Sequence, residues 1–381
     1  MCAVLLLAFG CGGDSSTTLT VSPGESIQAA VDAASPGDTI EVMPGDYTET
    51  HQGEAAVRVT KSLKLIAKSS SSEKVRILPG PGQKHGILVE PENSPDPGAG
   101  GPADPDIDGI EIKGFTVEGF DNNGIWLRYV KNFTIEDNES IDNLENGIWP
   151  TLSAGGLVKN NVSYGSLDTA MWVEGSEDVR VIGNELRDSV IGLEITVSNE
   201  ITVENNEVFN NTTGIGLFHP AVAPLPPLQP LERNGFSHVI NNDVHDNNAE
   251  NLAPPGTEAE ELPPGIGILV MGVDNNDVQN NRVENNEFLG IGVVDYCLVV
   301  AGTPVDCTVD PPEVEDVKPE LNRVIGNTLV NNHGDPPPGP FQDLASDIVE
   351  LGGADNCYSD NVIENTPPLL PLTIPSPLPP C

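Results

Sequence analysis

The chain contains three tryptophans, Trp126, Trp149 and Trp172, spaced 23 residues apart. Each follows an apolar residue, Ile125, Ile148 or Met171, so a strand that buries the apolar partner must turn the indole the other way. Stacked as parallel strands, the three rings would form one column with a step of about 4.8 Å. A column of this kind presents apolar faces suited to sugar rings. It would serve equally as a stack that stiffens a sheet or lies beneath the segment 94–108. Glu194 takes the next place in the column. The same register sets Glu145 and Asp168 two residues before Gly147 and Ala170 on neighbouring repeats, and Arg128 and Glu174 two residues beyond Trp126 and Trp172. Two carboxylates that close would drive one pKa up and the other down, or share a cation. A base, a charge-neutralising Arg or Ca²⁺, and a stacking surface are the parts a polysaccharide lyase or epimerase needs.

Histidines offer a second set. His219 ends the string GIGLFHP and Asp295 occupies the corresponding place in GIGVVDY, an arrangement open to general-base chemistry or to plain solvated turns. His238 and His245 flank an Asn-rich corner and carry the same two readings. The string SPDPGAGGPADPDID holds Asp96, Asp104, Asp106 and Asp108, which are oxygen ligands for a weak Ca²⁺ site without EF-hand spacing, or else part of a lid. No CxxC or HxxxH string occurs, which argues against a thiolate zinc site.

The 381 residues include 58 acidic and 17 basic ones, for a formal net charge of −41. Such a charge repels phosphate backbones and anionic lipid, so nucleic acid is excluded, while metal cations, cationic proteins and neutral surfaces remain as partners. Seven of the 17 basic residues lie between Arg58 and Lys84, leaving little elsewhere to grip a polyuronate. A polyanion would need bridging Ca²⁺, which the carboxylate surplus could hold.

With 39 Gly, 35 Pro and 4% aromatics the composition would suit disorder, were the apolar residues not in register. They recur in VKNNV, VIGNEL, VENNEV, VINNDV, VQNNRV and VIGNTL, with Asn at 138, 161, 184, 206, 242, 281, 327 and 361. The first spacings, 23, 23 and 22, equal one coil of a three-strand solenoid, and the later ones, 36, 39, 46 and 34, are the same coil with insertions in Pro-rich stretches such as 220–232 and 252–264. Asn suits the corner because it tolerates a left-handed backbone and its amide can bond to the amide one coil on. A second strand per coil opens at Gly124, Gly147, Gly192, Gly214, Gly265 and Gly290, with Ala170 in the third coil. These strands bury nothing singly and must stack, which predicts an all-β, single-domain right-handed parallel β-helix over 20–365. Its open end needs a cap, and SIQAAVDAASPGD supplies a helix with Ile27, Ala30, Val31 and Ala34 on one face and Ser26 as N-cap. The tail 366–381 is too rich in Pro for helix or ladder strand and is expected to run extended along the solenoid, or else to be disordered.

The strings IQAA, PGDTI and PGDY within residues 27 to 47 resemble the N-terminal pattern of bacterial parallel β-helix repeat proteins of the pectin-lyase-like superfamily. The stretch from Asn146 to Tyr296 resembles a family of exported, often lipid-anchored β-helix proteins of uncharacterised function. Relatives in the superfamily include lyases, hydrolases and epimerases, and a shared fold does not choose among them. The GHG and RIK strings of polygalacturonases and the DPHD string of mannuronan epimerases are absent. The opening MCAVLLLAFGC resembles a lipoprotein signal segment, which would make Cys11 the lipidated residue, 1–11 a signal and 12–19 a tether; an ordinary cleaved signal is the alternative. Either exports the protein. Four cysteines then remain for an oxidising compartment, with Cys297–Cys307 and Cys357–Cys381 as the favoured pairing among three connectivities. Two functions are carried forward. One is an exported cell-envelope monomer, touching membrane only through its lipid, that binds polysaccharide along the Trp column, with lyase or epimerase chemistry left open. The other is a non-enzymatic envelope protein that docks a partner protein on a solenoid face.

Overall fold

The computed structural model describes residues 16–94, 107–219, 235–299, 318–339 and 341–381. Short parallel strands wind into three long sheets of twelve, eleven and eleven strands among these residues. One coil consists of Val130–Glu136, Glu139–Ile141 and Asn146–Thr151, and the next of Ala154–Lys159, Val162–Tyr164 and Thr169–Glu174. The pairing Ile135–Val158–Val181–Val203–Val239 continues through Val278 to Val324. Every member of that column is fully buried. Burying a side chain of this size contributes about 1.5–3 kcal/mol, and only stacking makes the burial available.

The repeated Asn forms the expected ladder, but its two tasks are divided between neighbours. The amide Nδ2 of Asn138 donates to Oδ1 of Asn161 at 3.0 Å, and the chain of bonds runs unbroken through 184, 206, 242, 281 and 327 to Asn361. The left-handed residue is the one before: Asp137, Asn160, Gly183, Asn205, Asn241, Asn280, Gly326 and Asp360 all have φ between 50° and 70°. Those positions lack a β-branch and take the turn, which leaves the ladder Asn free to point inward. Two further ladders, Asn211–Asn247–Asn286–Asn332 and Asn276–Asn322–Asn356, line other corners. Their signal is the five-residue spacing of Asn276, Asn281 and Asn286, repeated at Asn322, Asn327 and Asn332.

One strand opens two residues later than the repeat predicts. Ile268, not Ile266, pairs with Ile215 and Ile291, so Gly267 rather than Gly265 matches Gly290. The string GIGI fits either register, because a slip of two preserves which face each residue takes.

The helix Ile27–Ala33 covers the N-terminal end, with Ile27 and Val31 buried and the Ser26 hydroxyl accepting from the Ala29 N–H. The buried Glu49 carboxylate accepts from the Ile27 N–H at 2.7 Å, placing an anion where unpaired helix N–H groups gather. A strand, Thr18–Val21, precedes the helix, starting inside the stretch expected as tether. At the far end the Cys357–Cys381 pairing is as expected, and the tail departs from the expectation by adding a strand. Thr373–Ile374 pairs with Ile348 and Val349 as one more rung, Pro380 bridges to Tyr358, and Cys381 is bonded to Cys357 with Cα atoms 4.6 Å apart. An outermost strand needs hydrogen bonds on one side only, so a two-residue strand between prolines is allowed there. The tail thus crosses the end of the solenoid and covers its last coil.

Candidate functional site

All three tryptophans stand on the outer face of one sheet, in register and half-buried. Ring centroids are 4.8 Å apart for Trp126 and Trp149 and 4.9 Å for Trp149 and Trp172, with planes within 6° of parallel. Rings stacked this closely cover one another's faces and offer edges to solvent, which corrects the expectation of exposed faces. His85 closes the near end, 5.1 Å from the Trp126 ring, and the Arg128 guanidinium lies 4.9 Å from the same centroid. Among the described residues no ring covers the far face of Trp172, and Glu194 follows it in register.

Arg128 was expected to neutralise charge on a ligand, but its own charge is engaged. Nε donates to Glu90 Oε2 at 2.7 Å and Nη2 makes a shorter contact with the same oxygen, both side chains being buried. Glu90 also holds Arg58 at 2.9 Å. A buried charge demands such a partner.

The remaining predicted groups converge. Glu145, Asp168, Glu174 and Glu194 line, with Arg128 and the three tryptophans, one groove of about 800 Å³. Glu145 accepts from Asn122 Nδ2 at 2.7 Å, and Glu194 accepts from the Thr169 hydroxyl at 2.9 Å. Glu145 and Asp168 occupy corresponding places on adjacent coils, since the residues that follow them, Asn146 and Thr169, pair in register. These acids can exchange protons or accept hydroxyl hydrogen bonds.

The groove's opposite wall was not foreseen. It comes from inserted segments, Leu262 to Pro264 behind the short helix Glu258–Glu261, and Pro337 to Gly339 with Phe341, Gln342 and Leu344. Asn251 fastens the first, donating to Ala259 O and Leu262 O at 2.8 Å and accepting from Ala253 N–H at 2.9 Å. These insertions carry no repeat period, so only their existence was readable.

Other predicted residues lie elsewhere. His219 and Asp295 do share a column, two coils apart with Gly272 between them, about 10 Å by strand spacing, and neither lines the groove. Buried Asp295 accepts from Cys297 N–H at 2.9 Å, capping the short helix Tyr296–Val299. His238 stands 3.2 Å from Asp277, and His245 stacks on Phe209 and meets Asp246 at 2.8 Å, both on the other two sheets. Asp108 accepts from Asn132 at 2.7 Å in the strand Ile107–Lys113, away from the groove. Cys297 is disulfide-bonded. Cys11, Asp96, Asp104, Asp106 and Cys307 lie outside the described residues. Among the described residues no group of three or more His, Cys, Asp or Glu could hold a metal ion.

Residues 70–221 match the family model described as right handed beta helix region. Among solved structures the chain is similar to the A-module of the Azotobacter vinelandii mannuronan C-5 epimerase AlgE4, with TM-score 0.57 and 14% identity over 89% of this chain and 94% of that one. It is similar also to the DFA-IIIase from Arthrobacter chlorophenolicus A6, with TM-score 0.57 and 16% identity over 91% of this chain and 80% of that one. No curated protein matches it at the level of sequence. The fold is therefore a right-handed parallel β-helix.

Proposed function

We propose that this is a carbohydrate-binding β-helix protein of the bacterial cell envelope, anchored through Cys11, that holds a saccharide in the groove beside the Trp column. The observation that carries the reading is the convergence, in one groove of about 800 Å³, of three tryptophans with Glu145, Asp168, Glu174 and Glu194. Aromatic edges give apolar contact to a sugar ring, and carboxylates accept from its hydroxyls. Support also comes from the similar structures, one of which is by its name a mannuronan C-5 epimerase.

Glu145 and Asp168 are the groups placed for proton transfer, with Glu174 across the column. A lyase or epimerase acting on a uronate needs in addition a cation at the sugar carboxylate, and Arg128 is already held by Glu90. That activity would depend on added Ca²⁺. The test is intrinsic tryptophan fluorescence of the full chain titrated with neutral and acidic polysaccharides, with and without Ca²⁺, followed by product analysis of any glycan that binds. Saturable change with one glycan class is expected. An unresponsive spectrum across the panel would overturn the reading in favour of a partner protein docked on the solenoid face.

A further inference from the structure

The floor of the groove changes chemistry halfway along. The column that runs Trp126, Trp149, Trp172 and Glu194 continues as Gly216, Leu269, Gly292 and Val349. The outer face of a solenoid sheet is ordinarily polar, but here Phe218, Leu269, Met271, Phe288 and Val294 occupy it and are nearly buried, with Leu262 and Phe341 of the insertions packed against them along the groove. The outer end of the Phe218 ring lies over Gly216, where a Cβ would stand 2.1 Å from it, so that glycine is what lets an aromatic panel extend the floor beyond Glu194.

A bare sugar chain would lose hydrogen bonds at this end, at about 1–3 kcal/mol for each hydroxyl left unpaired. An apolar group would lose none. Charge narrows the ligand further, because the groove offers Glu145, Asp168, Glu174 and Glu194 against one cation, Arg128, which Glu90 engages. We infer that the groove takes an uncharged glycoside bearing an alkyl or acyl chain, with the sugar beside Trp172 and Glu194 and the chain over Phe218 and Leu269. The inference rests on the saccharide reading above and names its ligand class.

The test uses the full chain and alkyl glycosides below their micelle concentration, from methyl to octyl, on glucose, galactose, mannose and N-acetylglucosamine, with hexanol and octyl glucuronide as controls. For at least one sugar the affinity should rise about threefold to fourfold per methylene until the pocket is full, as expected from about 0.8 kcal/mol per buried CH₂. The glucuronide should bind more weakly than the neutral glycoside of equal chain. Phe341→Ser, on the insertion and outside the solenoid core, should flatten the chain-length dependence. If the methyl glycoside binds as tightly as the octyl one, the inference is overturned and the saccharide reading stands. If hexanol binds as tightly as hexyl glycosides, or if no glycoside binds, both fall.

Discussion

Glu174 stands in strand register with Thr151 and Thr196, whose hydroxyls accept from the indole Nε1 of Trp126 and Trp172 at 3.3 and 2.7 Å. By the same offset the Nε1 of Trp149 falls at Glu174, yet that buried N–H has no acceptor. The middle of the Trp column therefore carries a polar cost its neighbours avoid. Replacing Trp149 by Phe should destabilise the protein less than Trp172→Phe, by about 1 kcal/mol, since only the second loses a satisfied hydrogen bond. Urea unfolding of the two variants checks this, and equal losses would contradict it.

His85 ties the column to pH. Burial lowers its pKa from 6.5 to about 4, and its ring abuts Trp126. Between those pH values the unfolded chain binds a proton that the folded chain refuses, so stability is lost as pH falls from about 6.5 toward 4. His85→Gln should lessen that loss relative to the wild type. Urea midpoints at pH 7, 5.5 and 4 would show it, and parallel curves would contradict it.

The opposite sign is expected at the C-terminal cover. His333 stands 3.4 Å from the fully buried Asp347, whose Oδ2 also accepts from Leu372 N–H and Asn365 Nδ2 in the tail. The Asp347 carboxylate beside it raises the pKa of His333 above 6.5, so its contribution is complete below 6.5 and fades as pH rises through the raised value. Asp347→Asn should loosen the tail at every pH, seen as faster hydrogen exchange at residues 366–381. His333→Gln should remove the alkaline part of the stability profile.

The Asn ladders make a positional prediction. Asn281 accepts from the backbone and amide of Asn242 and donates to Asn327 and Val239, whereas Asn361 is the last rung and half-buried. Asn281→Ala strands several buried groups and should cost about 2–4 kcal/mol, well above Asn361→Ala. Chemical denaturation of the pair decides it.

The coil period, the capping helix and the outward Trp column were all readable, because stacking forces identical environments on residues 22 or 23 apart. What escaped reading lies outside that periodicity. Glu90 meets Arg128 across 38 residues of chain with an insertion between them, and nothing in either neighbourhood announces the pair. The wall from Leu262 to Pro264 and from Pro337 to Gly339, with Phe341, Gln342 and Leu344, belongs to insertions that no repeat constrains. The stacked attitude of the indoles depends on side-chain rotation, which register alone does not determine. The tail's short strand exists only because an edge of the sheet was left open to receive it.

The central claim is that the groove beside Trp172 is where a saccharide is held. Calorimetric titration of the best-binding oligosaccharide into the wild type, Trp172→Ala and, as a control on another sheet, His238→Ala tests it most directly. The account predicts at least a tenfold weaker affinity for Trp172→Ala, about 1.4 kcal/mol, with His238→Ala unchanged. Equal affinity in all three proteins would place the saccharide elsewhere and contradict it.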